Sequence, residues 1–388
     1  MNLITLEEAM KVVETNESFY YKDEEFDGEK FRIFNYRLSS FNDFNENLKR
    51  LEMRGLCFNL DTKERWLGLH KFFNFNENPL TIDKELSNPW KDDDKLEVTE
   101  KLDGSLIIPV FSSKGNFTLR TKGSFYSDQA KMANKFIEEN TNYKDFIEFL
   151  EYSDCIPFFE LVGWKNQIVV NYDEEYELRL IQIRNKITGE YLSYDEIVNI
   201  VKNFNKNFNK NFNKNSNIKI TKKYNYTLSE LRKLQDEIKG LEGWIVRNYN
   251  QSFETSFRKI KTRWYLVLHH LLSPNELVEN KLIEHIINET IDDILSNLKG
   301  EKHKIISDLT NKVSHYYNHT YKECLNLFNE KQNTERKDFA MKYNKYPYFG
   351  VVMKAKDENH LECLLKEKIV KDNSKLSNAR EFIKKLGE

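Results

Sequence analysis

Cysteine is scarce in this 388-residue chain: Cys57, Cys155, Cys324 and Cys363 stand far apart, with no C-x-x-C pair. That spacing speaks against a disulfide framework or a thiolate metal knuckle and fits reduced thiols in a cytoplasmic compartment. Long hydrophobic runs are also missing. Runs such as Leu106–Phe111 are far too short to cross a bilayer, and Met1–Glu14 carries no signal-peptide pattern, so a soluble cytoplasmic protein without membrane contact is expected. Nor is there an excess of one charge: 60 Lys+Arg against 62 Asp+Glu exclude a globally basic nucleic-acid coat and an acidic tail protein. The residues that are plentiful, 39% hydrophobic with 13% aromatic, are too many for a disordered chain. At a typical ~150 residues per domain, two or three domains are expected.

The first two-thirds alternates strands and turns. Leu106–Phe111, the turn residues Ser112–Asn116 and the extended Phe117–Thr121 form a hairpin signature. Phe158–Gly163, Gln167–Tyr172, Leu178–Ile183 and Gly243–Asn248 are further strand candidates, and Asn185–Gly189 is a turn candidate. Helical patterns span Ser127–Phe149 and Leu228–Lys239. The mixture predicts an α+β domain built on antiparallel sheet. Inside it, Lys202-Asn-Phe-Asn repeats three times before Lys214-Asn-Ser-Asn217, an Asn-rich stretch expected to be a surface insertion. From Leu277 to Leu298, and again from Ile305 to Tyr317, apolar residues recur at helical spacing, and Leu361–Leu386 also has a helical pattern. The predicted organisation is therefore a domain over 1–272, with the insert 202–217, and an all-helical domain over 273–388 beginning at Ser273-Pro274.

Chemistry concentrates in Glu100-Lys101-Leu102-Asp103-Gly104-Ser105, ahead of the Leu106–Phe111 strand. A lysine before a tight Asp-Gly turn sits at a sheet edge, where burial and neighbouring cations lower an amine pKa from about 10.4. A neutral amine is a nucleophile able to form a covalent intermediate such as a phosphoramidate. Alone, K-x-D-G is a weak signal. It is followed in order by Phe158-Phe-Glu160-Leu-Val-Gly163, Glu242-Gly-Trp-Ile-Val246 and Lys259-Ile-Lys261-Thr-Arg-Trp-Tyr265. Lys259 and Lys261, two apart on a strand, project from one face and suit a phosphate ligand, although a charged edge strand has the same pattern. Glu160 has apolar neighbours, which makes its carboxylate costly unless it is paired or used.

This series resembles motifs I, III, IV and V of the covalent nucleotidyltransferases: ATP-dependent DNA and RNA ligases and capping enzymes. Ile33-Phe-Asn-Tyr36, Arg54-Gly55 with Phe58, Lys71-Phe-Phe-Asn74 with Glu77-Asn-Pro79, and Lys122-Gly-Ser124 narrow the resemblance to the phage RNA ligase 1 family, the tRNA-repair ligases. The likeness spans roughly 30–270 and weakens over the helical tail, where Tyr346-Pro-Tyr-Phe-Gly350 is the best echo. Leu102 stands where the family often has an acidic residue, and the Lys202–Asn217 repeat is an addition between motifs III and IV.

The resemblance implies an antiparallel-sheet adenylation domain followed by a helical RNA-specificity domain. Lys101 would attack the α-phosphate of ATP to form lysyl-AMP, with Mg²⁺ neutralising the pyrophosphate. Lys122 would act in adenylation or on the RNA phosphate, and Tyr265 in ligation. Arg54, Lys71, Lys259 and Lys261 would grip phosphates, Glu160 the ribose, and Glu242 a divalent ion near Lys101. Tyr36, Phe72 and Trp244 would offer aromatic surface to the adenine, although aromatics at strand spacing also build cores. Asp292 is the candidate metal ligand of the helical domain, although a solvated helix face explains Asp292-Asp293 equally well. His315, His319 and Cys324 lack a completing ligand, so an exposed helix is expected there. The implied partner is RNA, as nicked tRNA or single-stranded ends, and the protein is expected to be a monomer in a phage-host type cytoplasm. The alternatives are a DNA ligase or capping enzyme, in which an OB-type domain would be expected in place of helices, and a catalytically silent RNA-binding protein of the same fold.

Overall fold

A computed structural model describes residues 3–37, 41–208, 217–272, 279–288, 291, 295 and 300–387. The chain divides into two compact units, Met1–Leu266 and Val267–Glu388. Ser273 and Pro274 lie outside the described residues.

Among the described residues the first unit carries twelve strands in three antiparallel sheets. β1 (Phe19–Phe26), β2 (Glu29–Tyr36), β3 (Leu56–Asn59) and β4 (Arg65–Trp66) follow one another in the first. The second has the order β7-β6-β8-β9, from β6 (Ser105–Phe111), β7 (Phe117–Arg120), β8 (Cys155–Val162) and β9 (Glu177–Asn185). The third is β10-β5-β11-β12, from β5 (Leu96–Lys101), β10 (Lys223–Tyr224), β11 (Gly243–Asn248) and β12 (Phe257–Lys261). Only Leu102, Asp103 and Gly104 separate β5 from β6, so the K-x-D-G motif is the crossing from the third sheet to the second.

The β6–β7 hairpin forms as expected, because apolar residues such as Ile107, Ile108, Val110 and Leu119 are all buried. Gln167–Tyr172 is not a strand. The backbone N–H groups of Val169 and Val170 donate instead to Asp103 Oδ2, at 2.7 and 2.8 Å. The helical stretch expected over Ser127–Phe149 is two helices, Asp128–Glu139 and Thr141–Glu151, divided at Asn140, which leaves the helical region at φ −126°, ψ 73°. The Asn-rich repeat begins inside a helix, Tyr194–Phe208. Phe204 of its first copy is buried against Phe146 and Phe149, so this part belongs to the core and not to a surface insertion. Residues 209–216 lie outside the described residues.

The second unit is helical wherever it has described secondary structure, including Glu279–Ile287, the 33-residue Gly300–Gln332, Glu358–Asp372 and Leu376–Lys385. Leu282, Ile283, Ile286 and Ile287 are buried, as are Ile306, Val313, Leu361, Leu365 and Ile369. The i, i+3, i+4 spacing of the first four puts their side chains on one stripe. The Tyr346–Gly350 segment is pinned by Tyr348 and Tyr316, whose hydroxyls meet at 2.8 Å. Among the described residues no helix is long and apolar enough to cross a membrane, and no group of three His, Cys, Asp or Glu side chains could hold a metal. His315 and His319 lie in the Gly300–Gln332 helix, and Asp292 lies outside the described residues.

Candidate active site

Period-two alternation divides the third sheet into two chemically different faces. Val98, Trp244, Val246 and Ile260 are buried together with Trp90, Leu228 and Leu231 as one apolar cluster. The odd-numbered residues take the other face. Antiparallel register aligns them in rows: Lys101, Gly243 and Lys261; Thr99, Ile245 and Lys259; Glu97, Arg247 and Phe257. Apart from Gly243 and Lys261, these residues line a cavity of about 600 Å³. Ser105, Leu106, Glu160, Ile181 and Gln182 of the second sheet line it as well. Trp244 belongs to the core cluster, so of the three aromatics considered for adenine only Phe72 reaches the cavity wall.

Glu242 organises the head of this array. Gly243 pairs with Lys101 on one side and Lys261 on the other, so the residue before it falls between two amines. Its carboxylate accepts from Lys101 Nζ at 2.7 Å and lies 3.0 Å from Lys261 Nζ. Glu242 is 3% exposed and both lysines 21%, so the carboxylate is fixed while the amines remain reachable from solvent. The approach needs glycine next door: Gly243 has φ +151°, and a Cβ there would stand 2.0 Å from the Ile260 carbonyl oxygen.

The turn after Lys101 is held from behind. Asp103 is buried and accepts from Val169 and Val170 and from the Tyr265 hydroxyl at 2.8 Å, while its own N–H donates to Tyr172 Oη at 2.9 Å. Burial and the nearby Glu242 carboxylate push the Asp103 carboxyl above its ordinary range. A Cβ on Gly104 would stand 2.2 Å from the Leu161 carbonyl oxygen, which explains the glycine of the motif. Tyr265 is buried and absent from the cavity wall. Its hydroxyl is engaged by Asp103, so in place of the catalytic part expected for it, the geometry supports a positioning one.

Arg54 and Lys122 line the cavity beyond Lys101. The Lys122 loop is anchored by Glu24, which accepts from Ser124 Oγ at 2.7 Å and Phe125 N at 2.6 Å. Lys71 and Tyr36 stand behind Arg54. Lys71 Nζ lies 4.9, 5.5 and 6.0 Å from the ring centres of Phe73, Tyr36 and Phe44, an aromatic cage for a cation. Burial, with Arg54 adding to it, lowers the amine pKa of both Lys71 and Lys122.

Lys259 is placed by an additional parallel pairing. Lys259 N–H donates to Phe73 O at 3.0 Å and Phe75 N–H to Lys259 O at 2.9 Å, which lays the Phe72–Phe75 segment along β12. The amine lies 4.9 Å from the Phe72 ring centre, and among the described residues no carboxylate is within ion-pair distance of it. Burial first, then Arg54, Lys101, Lys71 and Lys261, drive its pKa well below the ordinary lysine value. Burial pushes the Glu160 carboxyl up to about 8 against the opposing pull of Lys101. The neighbours of Lys259 in the run of cations go elsewhere. Arg258 pairs with Asp83 at 2.8 Å on the apolar face, and Arg263 lies 3.1 Å from Asp236 in solvent.

The cavity therefore collects Lys101, Arg54, Lys122, Glu160 and Lys259, with Glu242 and Lys261 at its head, Lys71 and Tyr36 one layer back, and Tyr265 behind the turn. Sequence reasoning missed His70, Glu97, Gln182, Tyr191 and Arg247, which also line it. For Glu97 a signal existed, since it continues the alternation of Thr99 and Lys101. For His70 and Tyr191, 121 residues apart, none did. Glu242 is hydrogen-bonded to Lys101, and Glu160 lines the same cavity. Two carboxylates would suit a divalent ion that takes its other ligands from water and substrate.

A family model described as RNA ligase matches residues 52–265, which contain every cavity residue named above. A protein of Thermovibrio ammonificans named "Putative RNA ligase" is 28% identical over 348 residues, 85% of this chain and 85% of its own length. A "Putative bifunctional polynucleotide kinase/RNA ligase" of Autographa californica nuclear polyhedrosis virus is 26% identical over 299 residues. That match takes in 72% of this chain but only 39% of the viral protein. Among solved structures, an archaeal ATP-dependent RNA ligase superposes with a TM-score of 0.46 at 16% identity, covering 74% of this chain and 66% of that one.

Proposed function

The chain belongs to the phage RNA ligase 1 family, and from that premise we propose that it seals RNA in three ATP-dependent steps with Lys101 as the covalent carrier. The observation that carries this reading is one arrangement: a partly exposed amine at a strand end, held at 2.7 Å by a carboxylate it shares with Lys261, at the head of a cavity lined by Lys259, Arg54 and Lys122.

In the first step Lys101 Nζ forms a bond to the α-phosphorus of ATP as the bond to pyrophosphate breaks. Glu242, already hydrogen-bonded to the amine, would take the proton it sheds. Lys259 and Lys261 would stabilise the charge that accumulates on the non-bridging oxygens, a purely electrostatic contribution. Glu242 would hold a divalent ion near the phosphates, which when bound would neutralise charge on the departing pyrophosphate. In the second step an oxygen of an RNA 5′-phosphate attacks the adenylate and releases Lys101. In the third a 3′-hydroxyl attacks that 5′-phosphate, AMP departs, and a phosphodiester forms. Glu160, whose carboxyl burial pushes up to about 8, would contact the ribose hydroxyls. The helical unit would select the RNA, a broken tRNA in the repair reading, by shape and phosphate contacts, in a cytoplasmic setting.

The test is to incubate the protein with α-phosphate-labelled ATP and Mg²⁺, run a denaturing gel beside Lys101→Ala, and then add RNA with 5′-phosphate and 3′-hydroxyl ends. A labelled band absent from the variant, followed by joined RNA, is expected. A wild-type protein that stays unlabelled after pyrophosphate pretreatment, with ATP and with GTP, would sink the proposal and promote a silent RNA-binding protein.

A further inference from the structure

The cavity holds one buried polar atom that neither the fold nor the reaction steps above use. His70 is 1% exposed and lines the cavity, and its Nε2 has no hydrogen-bond partner. Burying a nitrogen without a hydrogen-bond partner costs folding free energy, so it calls for an explanation. The opposite side of the ring is well satisfied. His70 backbone N–H donates to Tyr191 Oη at 3.0 Å, and His70 Nδ1 lies 2.8 Å from the same oxygen.

That double contact favours one tautomer. The Tyr191 oxygen already accepts the backbone N–H, and among the described residues the acceptor within reach of its hydroxyl is His70 Nδ1. With the phenol donating to Nδ1, a neutral ring carries its hydrogen on Nε2. The surroundings keep the ring neutral: burial first, then Arg184, Arg54, Lys259 and Arg247, drive its pKa well below the ordinary histidine value. His70 thus offers a fixed N–H donor to the cavity. Its plane is held by Phe72, Phe253 and Phe257, at ring-centre distances of 5.4, 4.4 and 5.4 Å.

The position along the sheet says which part of a ligand would meet it. Phe257 is in the row with Arg247 and Glu97, four strand residues from Lys101. Four residues cover about 13 Å, the reach of a mononucleotide from its α-phosphate to the far edge of its base. The other polar groups of that row are engaged. Glu97 accepts from Tyr194 N and from Tyr249 Oη, both at 2.7 Å, and Arg247 donates to Leu192 O at 3.1 Å. We infer that His70 is a base-recognition residue, its Nε2–H donating to a ring nitrogen of the adenine of ATP, with Tyr191 as the positioning residue that sets the tautomer. This assignment rests on the ligase reading.

The experiment measures the initial rate of covalent nucleotide attachment by intact mass spectrometry, at subsaturating ATP and its 1-deaza, 3-deaza and 7-deaza analogues. Wild-type protein should react with ATP and discriminate against one of the analogues by about 10-fold, the loss of one buried hydrogen bond. His70→Phe, which keeps the ring and removes the donor, should lose about 10-fold on ATP, chiefly in KM, and treat that analogue like ATP. The analogue series on wild-type protein needs no variant to fold. Equal reaction of all three analogues with wild type, or discrimination undiminished in a folded His70→Phe, would overturn the assignment. If wild type attaches nothing from ATP itself, it is the ligase reading that has failed.

Discussion

Lys259 and Arg258 are neighbours in sequence with opposite fates, and the difference separates what the β5–β11–β12 sheet does for stability from what it does for chemistry. On the apolar face, Arg258 has no exposed side-chain surface, meets Asp83 at 2.8 Å and stacks 4.0 Å from the centre of Trp90. The Arg258 charge thus has a carboxylate partner in the chain, although its Nε and Nη2 have no hydrogen-bond acceptor. On the cavity face, Lys259 is surrounded by other cations, His70 Nε2 lacks an acceptor, and Glu160 is driven toward its neutral form. Charge without a partner costs folding free energy, so its persistence on one face points to a ligand that supplies the opposite charge.

The largest expected effect comes from breaking the cavity face at its head. Glu242→Gln removes the charge that holds two amines, and lysyl-AMP formation should fall by about 100-fold or more in single-turnover assays. Lys259→Met should reduce that rate on a similar scale of about 100-fold while raising thermal stability. The sign follows from the depressed pKa. A lysine whose folded pKa lies below its unfolded value destabilises fully at low pH, and stability recovers as pH rises from the folded value toward 10.5. The stability gained in Lys259→Met, measured by urea titration, should therefore shrink as pH rises. Arg258→Met should do the reverse on both counts. Leaving the partly buried Asp83 only its longer pair with Arg232, at 3.3 Å, should lower the melting temperature by about 5 °C, with adenylation nearly unchanged.

Smaller effects sharpen the same contrast. Glu160→Gln removes a carboxyl pushed up to about 8. Since a raised carboxyl pKa favours the folded state at low pH, wild-type stability relative to this variant should fall as pH rises from about 5 to 8, as thermal melts across that range would check. Tyr265→Phe removes one hydrogen bond to Asp103, worth about 1 kcal/mol. It should slow adenylation less than 10-fold, through kcat and not KM, because the hydroxyl is engaged by Asp103 and orients the turn.

Much of this was readable from residue order, for a physical reason. Alternation placed Lys259 and Lys261 on one face, and the Asp-Gly turn placed Lys101 at a strand end, because both depend only on local backbone geometry. The helical tail followed from apolar spacing for the same reason. The Arg258 pairing was hidden, since Asp83 lies 175 residues away and nothing local indicates which face of the sheet it serves. The non-strand at Gln167–Tyr172 was hidden because Asp103, 66 and 67 residues distant, claims its N–H groups. The tautomer of His70 depends on a tyrosine that no local pattern links to it.

The most direct test of the account is to locate the covalent nucleotide. Protein incubated with ATP and Mg²⁺ would be digested and the peptides sequenced by mass spectrometry. The account predicts a single AMP adduct on the Lys101 side chain, lost on treatment with pyrophosphate. An adduct on Lys259, Lys261 or Lys122 in its place would contradict the assignment of Lys101 as nucleophile, and with it the division of the sheet into a paired face and a face that waits for phosphate.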